Sequence, residues 1–484
     1  MFNVKPNFMN KLFLILPLAF LLSLNTIFAQ TIVHGGIYAN TTWSLANSPY
    51  YMDGSVVVFP GATLTIEPGV EIRVLENGFT GGQYYLETRG TINMIGQPGA
   101  LITIKANSSV TSYNEWAGIM VKNSQGGVLN YDYVSISNAL YAIYYDSFIP
   151  PFISLNHCNF SYNTNALSIG AEIQAESCTF SNNSNGLYGS GSFKLTNCVF
   201  DNNQQALPVN ANELMVKDCF FTNNYVGINL SSDSSTTIDV SGTIFDNNGI
   251  AFQSASNGVI DYCTFKNNME GVTYTSNVEI RNSVFNNNQT ALQVGRGTIV
   301  NNCIINDNAT GVAIGPVAFG QTPPIIENNR ICNNSNYNID NRTDLNMFIP
   351  TNCFCISDSA QIEEKIFDGY DDIVKGLISY AIFDTTCTNV LETVNKQPFT
   401  SINENEANSK TTIFPNPVTD IVNISNNNNF AQAELIDMKG QILLSWKLSQ
   451  GLNQKSLNSL PAGVYIFRFT DTVSNVQYVR MVKQ

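Results

Sequence analysis

A short pattern, Cys-x-Phe-x-Asn-Asn, recurs about every twenty residues through the middle of the chain. With the cysteine position counted as zero, it falls at Cys158, Cys178, Cys198, Cys219, Thr243, Cys263, Ser283 and Cys303. An aromatic residue or Ile stands two residues on, from Phe160 to Ile305. Asn stands at plus five every time, from Asn163 to Asn308. Plus eight holds only Ala or Gly, and an apolar residue follows it directly. A fixed period of this length is the mark of a solenoid, in which each rung stacks on the next.

The zero and plus-two positions share one face of a strand, because side chains alternate. That face carries Cys and Phe, so it points inward. The Asn pair then turns the chain, since Asn tolerates the left-handed backbone region. Equivalent Asn amides on coils stacked about 4.8 Å apart can also bond to each other along the stack. The small residue at plus eight suits a tight bend. A further apolar position precedes each zero position by three, from Leu155 to Val300. Twenty residues are too few for a helical repeat pair, so each rung consists of short strands. The expected fold class is all-β, a right-handed parallel β-helix solenoid followed by a small C-terminal β-sandwich. In rung length and Asn ladder, residues 50 to 385 resemble the pectate-lyase-like right-handed β-helices. Looser coils open the solenoid, with Thr63-Leu64-Thr65-Ile66-Glu67-Pro68-Gly69 resembling the first coils of secreted bacterial members.

The N-terminus reads as a secretory signal peptide over residues 1–29. Lys5 and Lys11 precede an apolar run too short for the roughly 20 residues of a membrane span. No later segment is apolar enough to span, so the mature chain is expected to lack a transmembrane segment. Removing these two lysines from the 23 basic residues leaves 21 against 37 acidic ones, a net of −16. This excludes nucleic acid as a partner held by bulk charge.

Six of the ten cysteines occupy the inward zero position, where Thr243 and Ser283 replace them. A slot for small buried residues explains this, although neighbouring rungs are within disulfide reach. Cys332, Cys353, Cys355 and Cys387 lie outside the ladder and are the better disulfide candidates. A metal site there is disfavoured, because Cys353-Phe354-Cys355 lacks the usual two-residue gap and no His is near. Residues 30–387 therefore read as the β-helix with its N-terminal coils and a C-terminal cap. The cap includes a short helix N-capped by Ser357 or Asp358. Asp368, Asp371 and Asp372 in the cap are the carboxylates that could take calcium, though without EF-hand spacing. No other cofactor is expected.

Residues 388–411 read as a linker, and residues 412–484 as a separate all-β tail. The tail carries Pro415-Asn416-Pro417, then Asp437-Met438-Lys439-Gly440, then Gly463-Val464-Tyr465, and ends on Lys483-Gln484. In this order these motifs resemble the type A sorting domain of the type IX secretion system. The resemblance implies the secretion machinery as a partner, and a secreted or outer-surface location in a Gram-negative bacterium.

Chemistry is harder to find. The chain holds only His34 and His157; the latter reads as a turn or strand residue beside the first Cys. Neither the paired-Asp and Gly-His-Gly motifs of polygalacturonases nor the Trp-Ile-Asp-His motif of pectate lyases is present. Charged residues on rungs, including Lys194, Lys217, Asp239, Asp261, Lys266, Glu279 and Arg281, read as a solvated face. Trp116, Tyr131, Tyr133, Tyr141, Tyr144 and Tyr145 cluster before the regular rungs, as a glycan platform or as core aromatics. The leading expectation is a non-catalytic, adhesion-like or glycan-binding surface protein. The alternatives are a polysaccharide lyase or glycoside hydrolase acting on an acidic polysaccharide, and a passive structural stalk.

Overall fold

The computed structural model describes residues 30–75, 83–108, 112–146, 152–230, 236–254, 257–315, 317, 321–381, 383–385 and 387 of the solenoid and cap, and 412–414, 418, 420–426, 430–436, 442–461, 463–471 and 476–483 of the tail. The segments read from sequence as a signal peptide, 1–29, and a linker, 388–411, fall outside the described residues. The chain forms two compact units, residues 1–398 and 399–484.

The first unit is a parallel β-solenoid of about 12 turns. Its ladder begins where Thr31–Ile37 pairs with Tyr50–Val58, and ends where Ile366–Phe367 pairs with Tyr337–Asn341. The early coils add a separate parallel sheet of Thr41–Trp43, Thr63–Ile66, Thr91–Ile95 and Val128–Asp132. A regular rung has three strands, as in Asn159–Ser161, Asn165–Gly170 and Ile173–Glu176. Two corners flank the three-residue strand, at minus one and plus four, and both take left-handed backbone. Asn197 and Asn202 have φ of 52° and 53°, and His157 and Tyr162 of 52° and 55°. Asn dominates these columns because its side chain relieves part of the cost of that conformation.

Inside, each residue type forms its own column. The Phe rings stack from Phe160 to Phe285 at centroid separations of 4.6 to 5.3 Å. The plus-five Asn side chains are buried and fully bonded. Asn203 Oδ1 accepts from the backbone N–H of Asn183 at 2.9 Å and from Asn183 Nδ2 at 3.1 Å. Asn203 Nδ2 donates to Phe180 O and to Asn224 Oδ1. The same pattern runs to Asn334. A buried amide costs free energy unless its partners are supplied, and here the neighbouring rungs supply them.

The zero slot selects for more than size. Cys219 N–H donates to Thr243 Oγ1, Cys263 N–H to Ser283 Oγ, and Cys303 N–H to Asn329 Oδ1. Cys158 and Cys198 donate in the same way to the sulfurs of Cys178 and Cys219. The thiol or hydroxyl also donates to the carbonyl two residues before it, as Cys178 does to Glu176 and Ser283 to Arg281. All six cysteines here are buried free thiols. Burial pushes the Cys263 and Cys303 thiols up to about 12.

Plus eight is not a bend. It lies within a strand, and Ala and Gly alternate there strictly: Ala166, Gly186, Ala206, Gly227, Ala251, Gly271, Ala291, Gly311. A Cβ on Gly186 would meet Ala206 O at 2.4 Å, and one on Gly271 would meet Ala291 O at 2.3 Å. Close approach between rungs, not turn geometry, excludes larger residues.

The cap helix is Ser359–Glu363, with Asp358 as N-cap accepting from Ala360 N–H at 2.8 Å. Ile362 is its buried residue. Disulfides Cys332–Cys355 and Cys353–Cys387 fasten the cap. Asp368 is buried and accepts from the backbone N–H of Tyr370 and of Ile378. Those bonds shape the loop around Asp371 and Asp372.

The second unit is antiparallel. One sheet joins Thr412–Phe414, Ile421–Asn426 and Gly451–Ser456; the other joins Ile442–Lys447, Gln432–Ile436, Gly463–Thr470 and Val476–Lys483. Val422, Ile424, Leu435, Phe467 and Phe469 form its core.

Candidate functional site

In two consecutive rungs the corner between faces is smoothed out. Asn185–Thr196 and Gln205–Lys217 each run on as one long strand. The register shifts between Gly191 and Ser192. Gly191 has φ of 133°, and a Cβ there would meet Ala171 O at 2.1 Å. Beside this stretch lies a cleft of about 680 Å³.

The cleft's shape follows from side-chain size. Ser168, Gly170, Gly189 and Ser190 are small and leave a depression. Tyr144, Tyr188 and Pro208 supply ring surface, and Gln205, Asn210 and Asn229 supply amides. Tyr144 pairs with Ser168, Ser168 with Tyr188, and Pro208 with Asn229 on successive rungs. Gly189 pairs with Val209, so Tyr188 and Pro208 are also in register. The outward column therefore reads Tyr144, Ser168, Tyr188, Pro208, Asn229. Its two tyrosines stand two rungs apart, about 9.6 Å. Tyr188 is 51% exposed and Tyr144 is half-buried.

Asp146 is the one charged residue among the described lining residues. Burial works against its charge. Even so, Ser124 Oγ at 2.6 Å, the Ser124 N–H and the Lys122 ammonium hold its carboxyl below the usual carboxylate range. Burial raises the neighbouring Tyr145 hydroxyl to about 12.

The aromatic residues singled out by sequence divide by strand alternation. Trp116 is fully buried and donates from Nε1 to Ser137 O at 2.8 Å. Tyr131 alternates inward with Leu129, and Tyr145 with Ile143, so both are buried. These three pack in the core, the second of the two roles open to the cluster. A register shift between Tyr141 and Ile143 turns Tyr141 outward along with Tyr144, their rings 5.4 Å apart. Tyr133 takes a left-handed corner and stacks on His157 at 4.3 Å. Only Tyr144 and Tyr145 of the six line the cleft. Tyr188 was missed, although the plus-ten position follows the buried plus-nine residue and so must point outward.

Neither histidine is among the described lining residues. His34 Nδ1 lies 2.6 Å from Asp53 Oδ1 in the first coil, and His157 sits at a left-handed corner. Several of the charged rung residues pair with their neighbours. Lys194 bridges Glu172 and Glu213, Arg281 holds Asp261 and Glu279, and Lys266 meets Asp246.

In the tail, Tyr465 is buried and its hydroxyl donates to Pro461 O at 2.8 Å. Lys483 is buried at the end of the strand opposite Gly463. Pro415, Asn416, Pro417, Asp437 and Gly440 lie outside the described residues. No helix among the described residues is long and apolar enough to cross a membrane.

Two family models match the chain. Residues 91–245 match the right handed beta helix region, and residues 412–484 match the secretion system C-terminal sorting domain. No curated protein matches it. The sorting domain marks the chain for export by type IX secretion, to the cell surface or the medium.

Proposed function

From a parallel β-helix that carries a type IX sorting tail, we propose a non-catalytic surface protein that holds an extracellular glycan in the Tyr144–Tyr188 cleft. One observation carries this reading. The cleft combines ring faces, side-chain amides and small residues with a single carboxylate, Asp146. Sugar recognition needs apolar faces to stack on and a few placed polar groups. Glycoside hydrolysis needs a pair of carboxylates flanking one bond, and a lyase needs a base. Asp146 has neither partner among the described lining residues, and its hydrogen bonds keep it ionised rather than poised to donate a proton.

The test incubates the purified full chain, with calcium present, with soluble and insoluble polysaccharides. Retention on a glycan without new reducing ends or unsaturated products is the expected result. Chain shortening would overturn the non-catalytic reading, and failure to bind any glycan would overturn the glycan-binding one.

A further inference from the structure

We infer that the ligand is an uncharged glycan chain lying along the solenoid axis, with sugar rings on Tyr188 and Tyr144. This rests on the glycan-binding reading and goes further, to the charge and direction of the ligand.

Direction follows from register. Tyr144 and Tyr188 stand in one outward column, two rungs apart along the axis. Their spacing of about 9.6 Å is close to the disaccharide repeat of an extended β-linked chain. Two rings placed this way stack on alternate sugars of a chain running parallel to the axis. A chain crossing the rungs would meet only one of them. Pro208 continues the same apolar column one rung further on.

Charge follows from the lining. Asp146 stays ionised beside Ser124 and Lys122, and the lining shows no cation among its described residues. The mature chain is net acidic. A uronate or sulfated polymer would find no cation in this lining to pair with, only a carboxylate whose own counter-charge, Lys122, is already engaged. Gln205, Asn210 and Asn229 suit hydroxyl and acetamido groups, which need donors and acceptors rather than charge.

Binding of the purified full chain to cellohexaose, chitohexaose and polygalacturonate, measured by calorimetry at low salt, tests this. The expected result is binding of a neutral hexasaccharide and none of polygalacturonate. Tyr188→Ala should then weaken binding about tenfold, the loss of one stacked ring, while Tyr188→Phe keeps it. Tyr262→Ala removes an exposed tyrosine outside the cleft and should change nothing. Preference for polygalacturonate would overturn this inference while leaving glycan binding intact. Neutral binding unaffected by Tyr188→Ala would place the ligand elsewhere and overturn it as well. Binding of no glycan at all would remove the proposed function itself.

Discussion

The backbone N–H of Cys263 donates to the hydroxyl of Ser283, one rung further on, at 3.1 Å. That bond explains why Cys, Ser, Thr and Asn fill this slot in the regular rungs from Cys158 to Asn329, whereas the looser coils before them place Val134 and Ile102 there. The slot needs a small side chain that accepts from the rung before. Cys198→Ser should therefore preserve stability. Cys198→Ala removes the acceptor's partner contacts on both sides and should cost about 1–2 kcal/mol, read as a lower denaturation midpoint with unchanged slope.

The thiol inventory follows from the same geometry. Six ladder cysteines are free and buried, and four cap cysteines form two bridges. The native protein should show none of the six ladder thiols to an aqueous thiol reagent. Denatured without reductant it should show six, and with reductant all ten. Reducing the bridges, which close loops of 23 and 34 residues, should cost about 3 kcal/mol each. A disulfide between Cys158 and Cys178 would lower the denatured count to four.

Asn203→Ala tests the amide ladder. The change strips Asn183 of its acceptor and leaves Phe180 O without its side-chain donor. Loss of about 3 kcal/mol is expected from the orphaned buried groups. Asn203→Asp restores the acceptor but sets a buried carboxyl against Phe180 O and Asn224 Oδ1, so it should cost at least as much as the alanine change and recover in part at low pH. Equal stability for Ala and wild type in urea unfolding would mean the ladder contributes nothing.

Gly186→Ala adds one methyl group that meets Ala206 O at 2.4 Å. Overpacking of this kind typically costs 1–3 kcal/mol. The reverse change, Ala206→Gly, adds no clash and should cost less, mainly through backbone entropy. A melting temperature for Gly186→Ala at or above wild type would show that the rungs can move apart there.

This alternation marks where sequence reading stopped. The period, the Phe stack, the Asn ladder and the bridged cysteines were legible because each repeats, or breaks a repeat, at a fixed position. The N-cap was legible to within two residues, Ser357 or Asp358, because capping is local chemistry, and the structure selects Asp358. The Gly and Ala alternation was visible but its cause was not, since carbonyl approach between rungs leaves no trace in one rung. Trp116, Tyr131 and Tyr145 stayed undecided between core and surface for a related reason. They precede the first Cys-x-Phe unit, so no phase marker told inward from outward positions. Tyr188 had such a marker, yet the cleft also depends on the smoothed corner around Gly191, which only the folded chain shows.

The cleft's response to pH follows from two groups. Asp146 has its folded value lowered by Ser124 and by Lys122, the charged group facing it. Whatever its ionised form contributes is therefore complete above the ordinary carboxylate value of about 4, and is lost only as pH falls through the lowered value. Burial raises the Tyr145 hydroxyl to about 12, so it stays neutral through the alkaline range. Affinity for a neutral hexasaccharide should accordingly be flat from about pH 5 to pH 9, measured by calorimetry in buffers of equal ionic strength. A sigmoidal change centred near neutrality would overturn this account of the cleft, because none of its described lining residues titrates there by the causes above.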